Sequence, residues 1–162
     1  MKIYIDFDGV ILDTDSIIDK KISKTNIDRR EFIKNYDWNL LMRNDIIIND
    51  SLNYIKKSKY NISLLSKICS INEAQAKVKF LRNNEVLIDI NFVPTGINKS
   101  DIVSAKDNVL IDDKVVNLDS WSANGGISIF FNKDGKNIDI YDNINTKYKM
   151  ITDLSCLVNG IK

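Results

Sequence analysis

The chain has 162 residues, of which 28% are charged and 44% hydrophobic, and its formal net charge is +1. This length predicts one domain with a hydrophobic core, and the near-neutral charge argues against a partner as polyanionic as a long nucleic acid. Histidine is absent, which excludes a Ser-His-Asp triad, a phosphohistidine intermediate and an imidazole-ligated metal. Only three of the 22 acidic residues are glutamates (Glu31, Glu73 and Glu85), which leaves 19 aspartates. Any chemistry must therefore rely on carboxylates, lysines, hydroxyls and a hard metal ion.

The two cysteines, Cys69 and Cys156, are too few for a disulfide framework or a zinc cluster. The first residues lack the apolar stretch and cleavage site of a signal peptide. No apolar run approaches the roughly 20 residues of a membrane span. We therefore expect a cytoplasmic protein that does not bind membranes, and the sequence makes no prediction of its oligomeric state.

Short apolar runs bounded by turn residues are typical of strands that are buried on both faces of a parallel sheet. These runs are Ile3–Phe7, Ile62–Leu65, Leu87–Val93, Val109–Ile111 and Ile127–Phe131. Helical patterns lie between them. Asn72 and Gln75 form a capping-box pattern before a helix over Ala74–Leu81, and residues 114–123 predict another helix. This alternation predicts an α/β fold, a doubly wound (Rossmann-like) parallel sheet.

Residues 14–60 interrupt the alternation directly after the first strand. An insertion of this length is too long for an ordinary connection and is typical of a lid or a binding element. We predict an α/β core formed by residues 1–13 and 61–162, and a small helical cap formed by residues 14–60. The predicted cap elements are a helix over Arg29–Tyr36 capped by Asp28 and Glu31, a helix over Ser51–Lys57, and a candidate strand over Ile46–Ile48.

The C-terminal part of the chain gives weaker patterns. Residues Lys133–Lys136 are typical of a hairpin turn, and Ile138–Tyr141 of an extended segment. Lys149–Ile151 predicts a last strand, followed by a short helix that Thr152 would cap.

The most informative segment is the end of the first strand, where Asp6 and Asp8 flank Phe7. Strand alternation directs the two carboxylates to the same side, and the carboxyl ends of parallel strands are where ligands bind. Their mutual repulsion requires a cation or a shared proton, and a hard divalent ion such as Mg²⁺ meets this need. Gly9 allows a tight turn beside the site. A solvated turn or a helix N-cap is the alternative for this spacing alone.

A second acidic pair, Asp112-Asp113, follows the run Val109–Ile111 and can converge on the same metal ion. Two other strand ends lead to Ser66, a hydroxyl that can donate to phosphate, and to Lys99, a point charge suited to phosphate. The residues that compete for these two roles are Ser63 and Ser70 for the hydroxyl, and Lys106 and Lys114 for the lysine.

This order of residues resembles the four motifs of the haloacid dehalogenase-like (HAD) phosphatase superfamily. The motifs are Asp6-Phe7-Asp8-Gly9, Ser66, Lys99 and Asp112-Asp113. Within the superfamily, the segment Ile111–Leu118 followed by Trp121 and Gly125-Gly126 resembles the 5'(3')-deoxyribonucleotidase-like branch. That branch carries its cap at the position of the helical insertion.

The resemblance implies a phosphatase that works through an aspartyl-phosphate. Asp6 would attack phosphorus, and Asp8 would protonate the leaving oxygen and then deprotonate the hydrolytic water. Ser66, Lys99 and Gly9 would bind the phosphoryl group. The partner is a small phosphorylated substrate, for which a (deoxy)nucleoside monophosphate is one candidate class.

The same resemblance implies Mg²⁺ as the cofactor. Asp6 and Asp112 would hold the ion together with Asp8 through its backbone carbonyl. Asp113 would support it directly or through water. No step of this scheme requires histidine.

Substrate choice is expected to depend on the cap. Tyr36, Trp38, Tyr54 and Tyr60 could stack on a base or a sugar, and Arg43 could reach a phosphate. The alternative is that these aromatic side chains form the core of the cap.

Other functions remain as alternatives at this point. A catalytically inactive binding module of the same fold and a phosphatase for a non-nucleotide ester are both compatible with the motifs. A receiver domain fits less well, because the third apolar run ends at Pro94-Thr95 without an acid. A metal-dependent nuclease would require a basic surface.

Overall fold

The computed structural model describes residues 1–135 and 147–161. The strands are β1 (Ile3–Ile5), β2 (Ile62–Ile68), β3 (Asp89–Pro94), β4 (Val109–Asp112), β5 (Ile127–Phe131) and β6 (Lys149–Ile151). The helices are α1 (Thr14–Ile22), α2 (Arg29–Asn35), α3 (Ser51–Lys57), α4 (Ile71–Asn83), α5 (Lys99–Ile102), α6 (Val115–Ala123) and α7 (Cys156–Asn159). Two short 3₁₀ turns span Trp38–Leu40 and Asn44–Ile46.

The strands form one parallel sheet in the order β3-β2-β1-β4-β5-β6, which confirms the predicted doubly wound fold. From β1 the chain first builds the β2–β3 side of the sheet and then returns to add β4 on the other side of β1. This reversal is a topological switch point, where ligands bind at the carboxyl ends of the strands. The strand order also differs from the 2-1-3-4-5 order of receiver domains.

Both faces of the sheet are buried, as the unalternating apolar runs predicted. Ile3 and Ile5 pack into one cluster with the residues of α3 and α7. Tyr4, between them, faces a second cluster that includes Trp121 of α6. The central strands are therefore enclosed between two hydrophobic layers.

The segment between β1 and β2 contains α1, α2, both 3₁₀ turns and α3. Ile18, Trp38 and Leu41 form a cluster of their own with Ala76 of α4, whereas Leu52 and Ile55 of α3 belong to the main core. The cap boundaries at residues 14 and 60 therefore stay a prediction. The expected strand over Ile46–Ile48 is wrong: the chain there forms a 3₁₀ turn and a single bridge to Leu12.

Two predicted helix caps are also wrong. Helix α4 begins earlier than predicted because Ser70, not Asn72, is its N-cap, and the Ser70 hydroxyl accepts a hydrogen bond from the backbone N–H of Glu73 at 3.2 Å. Helix α7 follows Ser155 instead of Thr152. None of the helices in the described ranges is long and apolar enough to cross a membrane.

The chain makes a turn after β5, where the backbone N–H of Gly135 donates to the carbonyl of Asn132 at 3.1 Å. The predicted hairpin over Lys133–Lys136 stays a prediction, because the segment after this turn is not among the described residues. Lys136 and the predicted extended segment Ile138–Tyr141 lie outside the described residues.

Gly126 offers a test of how tightly α6 packs on the sheet. A Cβ atom there would lie 2.3 Å from two atoms of the Trp121 ring and 2.9 Å from the carbonyl of Ala105. We expect Gly126→Ala to lower the free energy of unfolding by about 1–3 kcal/mol, because Trp121 is fully buried and cannot move aside. The measurement is urea denaturation. Ile127→Val is the control, because the neighbouring Ile127 is half-exposed. It should change the free energy of unfolding by no more than about 0.5 kcal/mol. Equal effects of the two substitutions would contradict this packing.

Candidate active site

The carboxyl ends of β1 and β4 bring Asp6 and Asp112 together. Ile5 pairs with Ile111 in the sheet, and the backbone N–H of Asp6 donates to the carbonyl of Ile111 at 2.9 Å. Lys99, at the start of α5, directs its ammonium between the two carboxylates. Its Nζ lies 2.9 Å from Asp6 Oδ1 and 2.6 Å from Asp112 Oδ2, and all three side chains are buried.

Asp112 is held by further donors besides Lys99. Asn117 donates from Nδ2 to both of its carboxylate oxygens, at 3.1 and 3.0 Å, and the backbone N–H of Lys114 donates to Oδ1 at 2.8 Å. The first turns of α6 therefore orient this carboxylate. The sequence indicates Asn117 only as part of the segment Ile111–Leu118, and the structure shows its contact with Asp112.

Asp113 lies against the tight turn after β1. Its Oδ2 is 2.9 Å from the ammonium of Lys114, whereas its Oδ1 is buried without a hydrogen-bond partner among the described residues. Gly9 has a φ of +77°, and a Cβ atom there would lie 2.4 Å from Asp113 Oδ2. Only glycine allows the turn to approach this carboxylate so closely.

Asp6, Asp112 and Asp113 each offer a carboxylate oxygen, and these three oxygens lie within 4.8 Å of one another. Burial raises the pKa of Asp6 to about 8; Lys99 opposes the rise, and the neighbouring aspartates add to it. Burial likewise raises the pKa of Asp113 to about 6, against the effect of Lys114. A cation at this position would favour the ionised carboxylates, and it would give the buried Asp113 Oδ1 a partner. This set of hard oxygen donors fits a divalent metal ion.

The carboxylate of Asp8 points away from this cluster. Its Oδ1 accepts a hydrogen bond from the Thr14 hydroxyl at 2.7 Å, and its Oδ2 lies 2.5 Å from the ammonium of Lys77. The side chain stays 20% exposed. Asp6 and Asp8, two residues apart, therefore have different partners: Lys99 for the first and Lys77 for the second.

Ser66 does not follow the end of β2, as predicted, but lies within it. The strand continues to Ile68 because residues 63–68 pair with β3. The buried Ser66 hydroxyl accepts a hydrogen bond from Lys77 at 3.0 Å and donates to the carbonyl of Lys67 at 3.4 Å. Other protein groups thus engage this hydroxyl, which lies below the surface of the protein.

The residues that competed for these two roles have other contacts. Ser63 donates to the carbonyl of Asp89, and Ser70 caps α4. Lys106 is exposed, and Lys114 bridges Asp113 and Asp15 of α1. Lys99, by contrast, is buried between the two carboxylates that it contacts.

Besides Thr14 and Asn117, Lys77 and Glu73 are two residues near the site that the sequence reasoning missed. They are one turn apart on α4, and such a pair is usually taken for a solvated ion pair. A signal was present, because Glu73 and Lys77 share the helix face of Ala76 and Phe80, and this face is buried.

A small cavity of about 170 Å³ opens above these groups. Its lining combines site residues of the sheet edge with Ile18, Ile33 and Trp38 from the segment between β1 and β2. Trp38 is itself almost fully buried, and its Nε1 donates to the carbonyl of Ile33 at 3.1 Å. This indole therefore forms a wall of the cavity and part of the core at the same time.

The other candidate substrate residues do not line this cavity. Tyr36 stacks on Phe32, and Arg43 pairs with Asp45. Tyr54 and Tyr60 pack against the main core, and Tyr60 lines a separate hollow of about 570 Å³ at the amino end of β2. Substrate contact by these four side chains stays a prediction, whereas the contacts of the three tyrosines fit the alternative of a packing role.

Gly9 allows a direct test of the acidic cluster. We expect Gly9→Ala to weaken Mn²⁺ binding at least about tenfold, because the new Cβ would displace the carboxylate of Asp113. The measurement is isothermal titration calorimetry. Gly96→Ala is the matched control, since Gly96 also has a positive φ, +94°, but a Cβ atom there would have no other atom within 4 Å. Equal losses in both variants would show that backbone strain, and not contact with Asp113, causes the effect.

Comparison with known proteins gives structural neighbours only. No protein-family model and no curated protein matches the chain. A D,D-heptose 1,7-bisphosphate phosphatase from Burkholderia thailandensis is similar in structure, with a TM-score of 0.61 and 13% identity over 98% of this chain and 96% of that chain. A family IA HAD hydrolase from Entamoeba histolytica has a TM-score of 0.60 and 13% identity, over 98% of this chain and 99% of that chain. A dehalogenase with an intermediate complex has a TM-score of 0.61 and 14% identity, over 96% of this chain and 94% of that chain. The chain has the α/β fold of the HAD-like hydrolases.

Proposed function

We propose that the protein is a Mg²⁺-dependent phosphatase that hydrolyses a small phosphomonoester through an aspartyl-phosphate on Asp6. The observation that carries this proposal is the arrangement around Lys99. Its buried ammonium joins Asp6 to Asp112, beside the unpartnered oxygen of Asp113. This arrangement combines a nucleophile and a cation site at one switch point of the sheet.

Asp6, Asp112 and Asp113 would hold the ion, together with the backbone carbonyl of Asp8. When bound, Mg²⁺ would offset the negative charge of the phosphoryl group and of the clustered carboxylates. The chain's own residues would do the remaining work. Lys99 keeps Asp6 and Asp112 in place and adds positive charge beside the transferred group.

In the first step, Asp6 would attack phosphorus in line with the leaving oxygen. A bond forms between Asp6 and phosphorus, the bond from phosphorus to the leaving oxygen breaks, and Asp8 transfers its proton to that oxygen. In the second step, Asp8 would take a proton from water as the water attacks phosphorus. Inorganic phosphate leaves, and the Asp6 carboxylate and the Asp8 proton are restored.

Two of the three neighbours named above represent different chemistries, a phosphatase and a dehalogenase. Displacement of a halide needs no proton donor, because halide leaves as a stable anion. Asp8 lies at the site with an anchored and partly exposed carboxylate, and three further carboxylates cluster for a cation. These features support phosphoryl transfer, which uses both a proton donor and a cation.

We further propose a nucleoside monophosphate as the substrate class to test first. The support is the resemblance of Ile111–Leu118, Trp121 and Gly125-Gly126 to the deoxyribonucleotidase-like branch, and the Trp38 ring in the cavity wall. Asn117 and Trp121 contact other protein groups, and these contacts do not depend on which substrate binds. A non-nucleotide phosphate ester is the alternative.

The experiment is a hydrolysis assay with 4-nitrophenyl phosphate and a panel of nucleoside and sugar monophosphates. We expect turnover that requires Mg²⁺ and that falls by about 10³-fold or more in Asp6→Asn, because the substitution removes the nucleophile. Asp89→Asn is the matched control, since this exposed aspartate lies at the opposite end of the sheet. Its activity should equal that of the wild type.

Two outcomes would contradict the proposal. If the wild type with Mg²⁺ hydrolyses none of these esters, the inactive binding module becomes the better account. If Asp6→Asn retains full turnover, Asp6 is not the nucleophile.

A further inference from the structure

Lys77 has an unusual environment for a lysine. Its side chain is fully buried, and its ammonium lies near four acceptors: Asp8 Oδ2 at 2.5 Å, Glu73 Oε1 at 2.6 Å, Ser66 Oγ at 3.0 Å and the carbonyl of Lys67 at 3.4 Å. An ammonium has three N–H donors. The protein itself therefore occupies every donor, and Lys77 does not line the cavity above the site. Any influence on a substrate must act through the groups that Lys77 holds.

Burial of this charge is not explained by stability alone. A buried ion pair is often no more stabilising than apolar residues of similar volume, because both charges lose their hydration. The Phe7 and Trp38 rings, whose centroids lie 5.2 and 5.0 Å from the ammonium, offset part of this cost through cation–π contacts. A methionine side chain could fill the same space without this desolvation cost.

Glu73 fixes the position of Lys77. Its Oε1 contacts the ammonium, and its Oε2 accepts a hydrogen bond from the backbone N–H of Cys69 at 2.8 Å. The Glu73 side chain is 3% exposed. Glu73 thus connects the ammonium to the loop after β2. Contacts run from the backbone of Cys69 through Glu73 and Lys77 to Asp8.

The result is a carboxylate held from two sides. Thr14 of α1 fixes Asp8 Oδ1, and Lys77 of α4 fixes Asp8 Oδ2. We propose, on the basis of the function proposed above, that Lys77 braced by Glu73 is a positioning residue that directs Asp8 toward the leaving oxygen of the substrate. Lys99 and Lys77 then serve different carboxylates, the first for attack and the second for proton transfer.

A positioning role for Lys77 makes the loss of activity depend on the leaving group, which a merely structural lysine would not do. An alkyl alcohol leaves poorly without a proton, whereas 4-nitrophenolate leaves readily as an anion. Misplacement of Asp8 should therefore impair phosphoryl transfer from an alkyl phosphate far more than from 4-nitrophenyl phosphate. The value of kcat/KM isolates this effect, because it covers the steps up to the release of the leaving group.

The experiment measures kcat/KM of the full-length protein with Mg²⁺ for 4-nitrophenyl phosphate and for the best alkyl phosphate of the panel. We expect Lys77→Met to lower kcat/KM for the alkyl phosphate about 10²-fold. The loss in kcat/KM for 4-nitrophenyl phosphate should be at least tenfold smaller, that is, about tenfold or less. Lys79→Met, an exposed lysine on the same helix, is the matched control and should change neither value. Circular dichroism and a thermal melt establish that each variant is folded.

Glu73→Gln provides a second variant that keeps the shape of the side chain if Lys77→Met does not fold. We expect the same preference for the aryl ester, with a smaller loss. Equal losses for both esters in a folded variant, or no loss, would overturn the positioning role while the phosphatase function stands. Absence of wild-type turnover on every ester would instead remove the proposed function itself.

Discussion

One buried ammonium holds the functional edge of this sheet together. Because β1 and β4 are paired in register, their terminal carboxylates Asp6 and Asp112 must lie side by side, where burial makes repulsion costly. Lys99 lies between them and compensates part of their charge. The compensation is incomplete, since Asp113 adds a third carboxylate whose inner oxygen has no partner among the described groups. A divalent cation is the simplest group that would compensate the remaining negative charge and give Asp113 Oδ1 a partner.

The second buried lysine gives the neighbouring aspartate a different environment. Asp6 lies deep in the sheet against Lys99, whereas Asp8 lies at the cavity between Thr14 and Lys77. Two carboxylates that are two residues apart can have separate roles when their surroundings differ in this way. A nucleophile must be fixed and dehydrated, and a proton donor must reach both the leaving group and water. The different partners of Asp6 and Asp8 support the separate roles proposed for them.

Much of the fold was predictable from local features of the sequence. Uninterrupted apolar runs indicated a parallel sheet that is buried on both faces, and acids after Ile5 and Ile111 indicated a ligand edge where these strands end. The contacts of Lys77 were not predictable in the same way, because they depend on which face of α4 packs inward. The aromatic residues of the insertion left two interpretations open for a related reason: only the packing of the chain shows that Tyr54 and Tyr60 lie against the main core.

The most direct test of the account is to trap the phosphorylated protein with Asp8→Asn. This variant should accept the phosphoryl group from 4-nitrophenyl phosphate, which needs no proton donor, but should hydrolyse it slowly because the base for water is lost. Acid quenching followed by peptide mass spectrometry should then find phosphate on Asp6. Phosphate on another residue, or a burst of 4-nitrophenol with no phosphorylated peptide, would contradict the account.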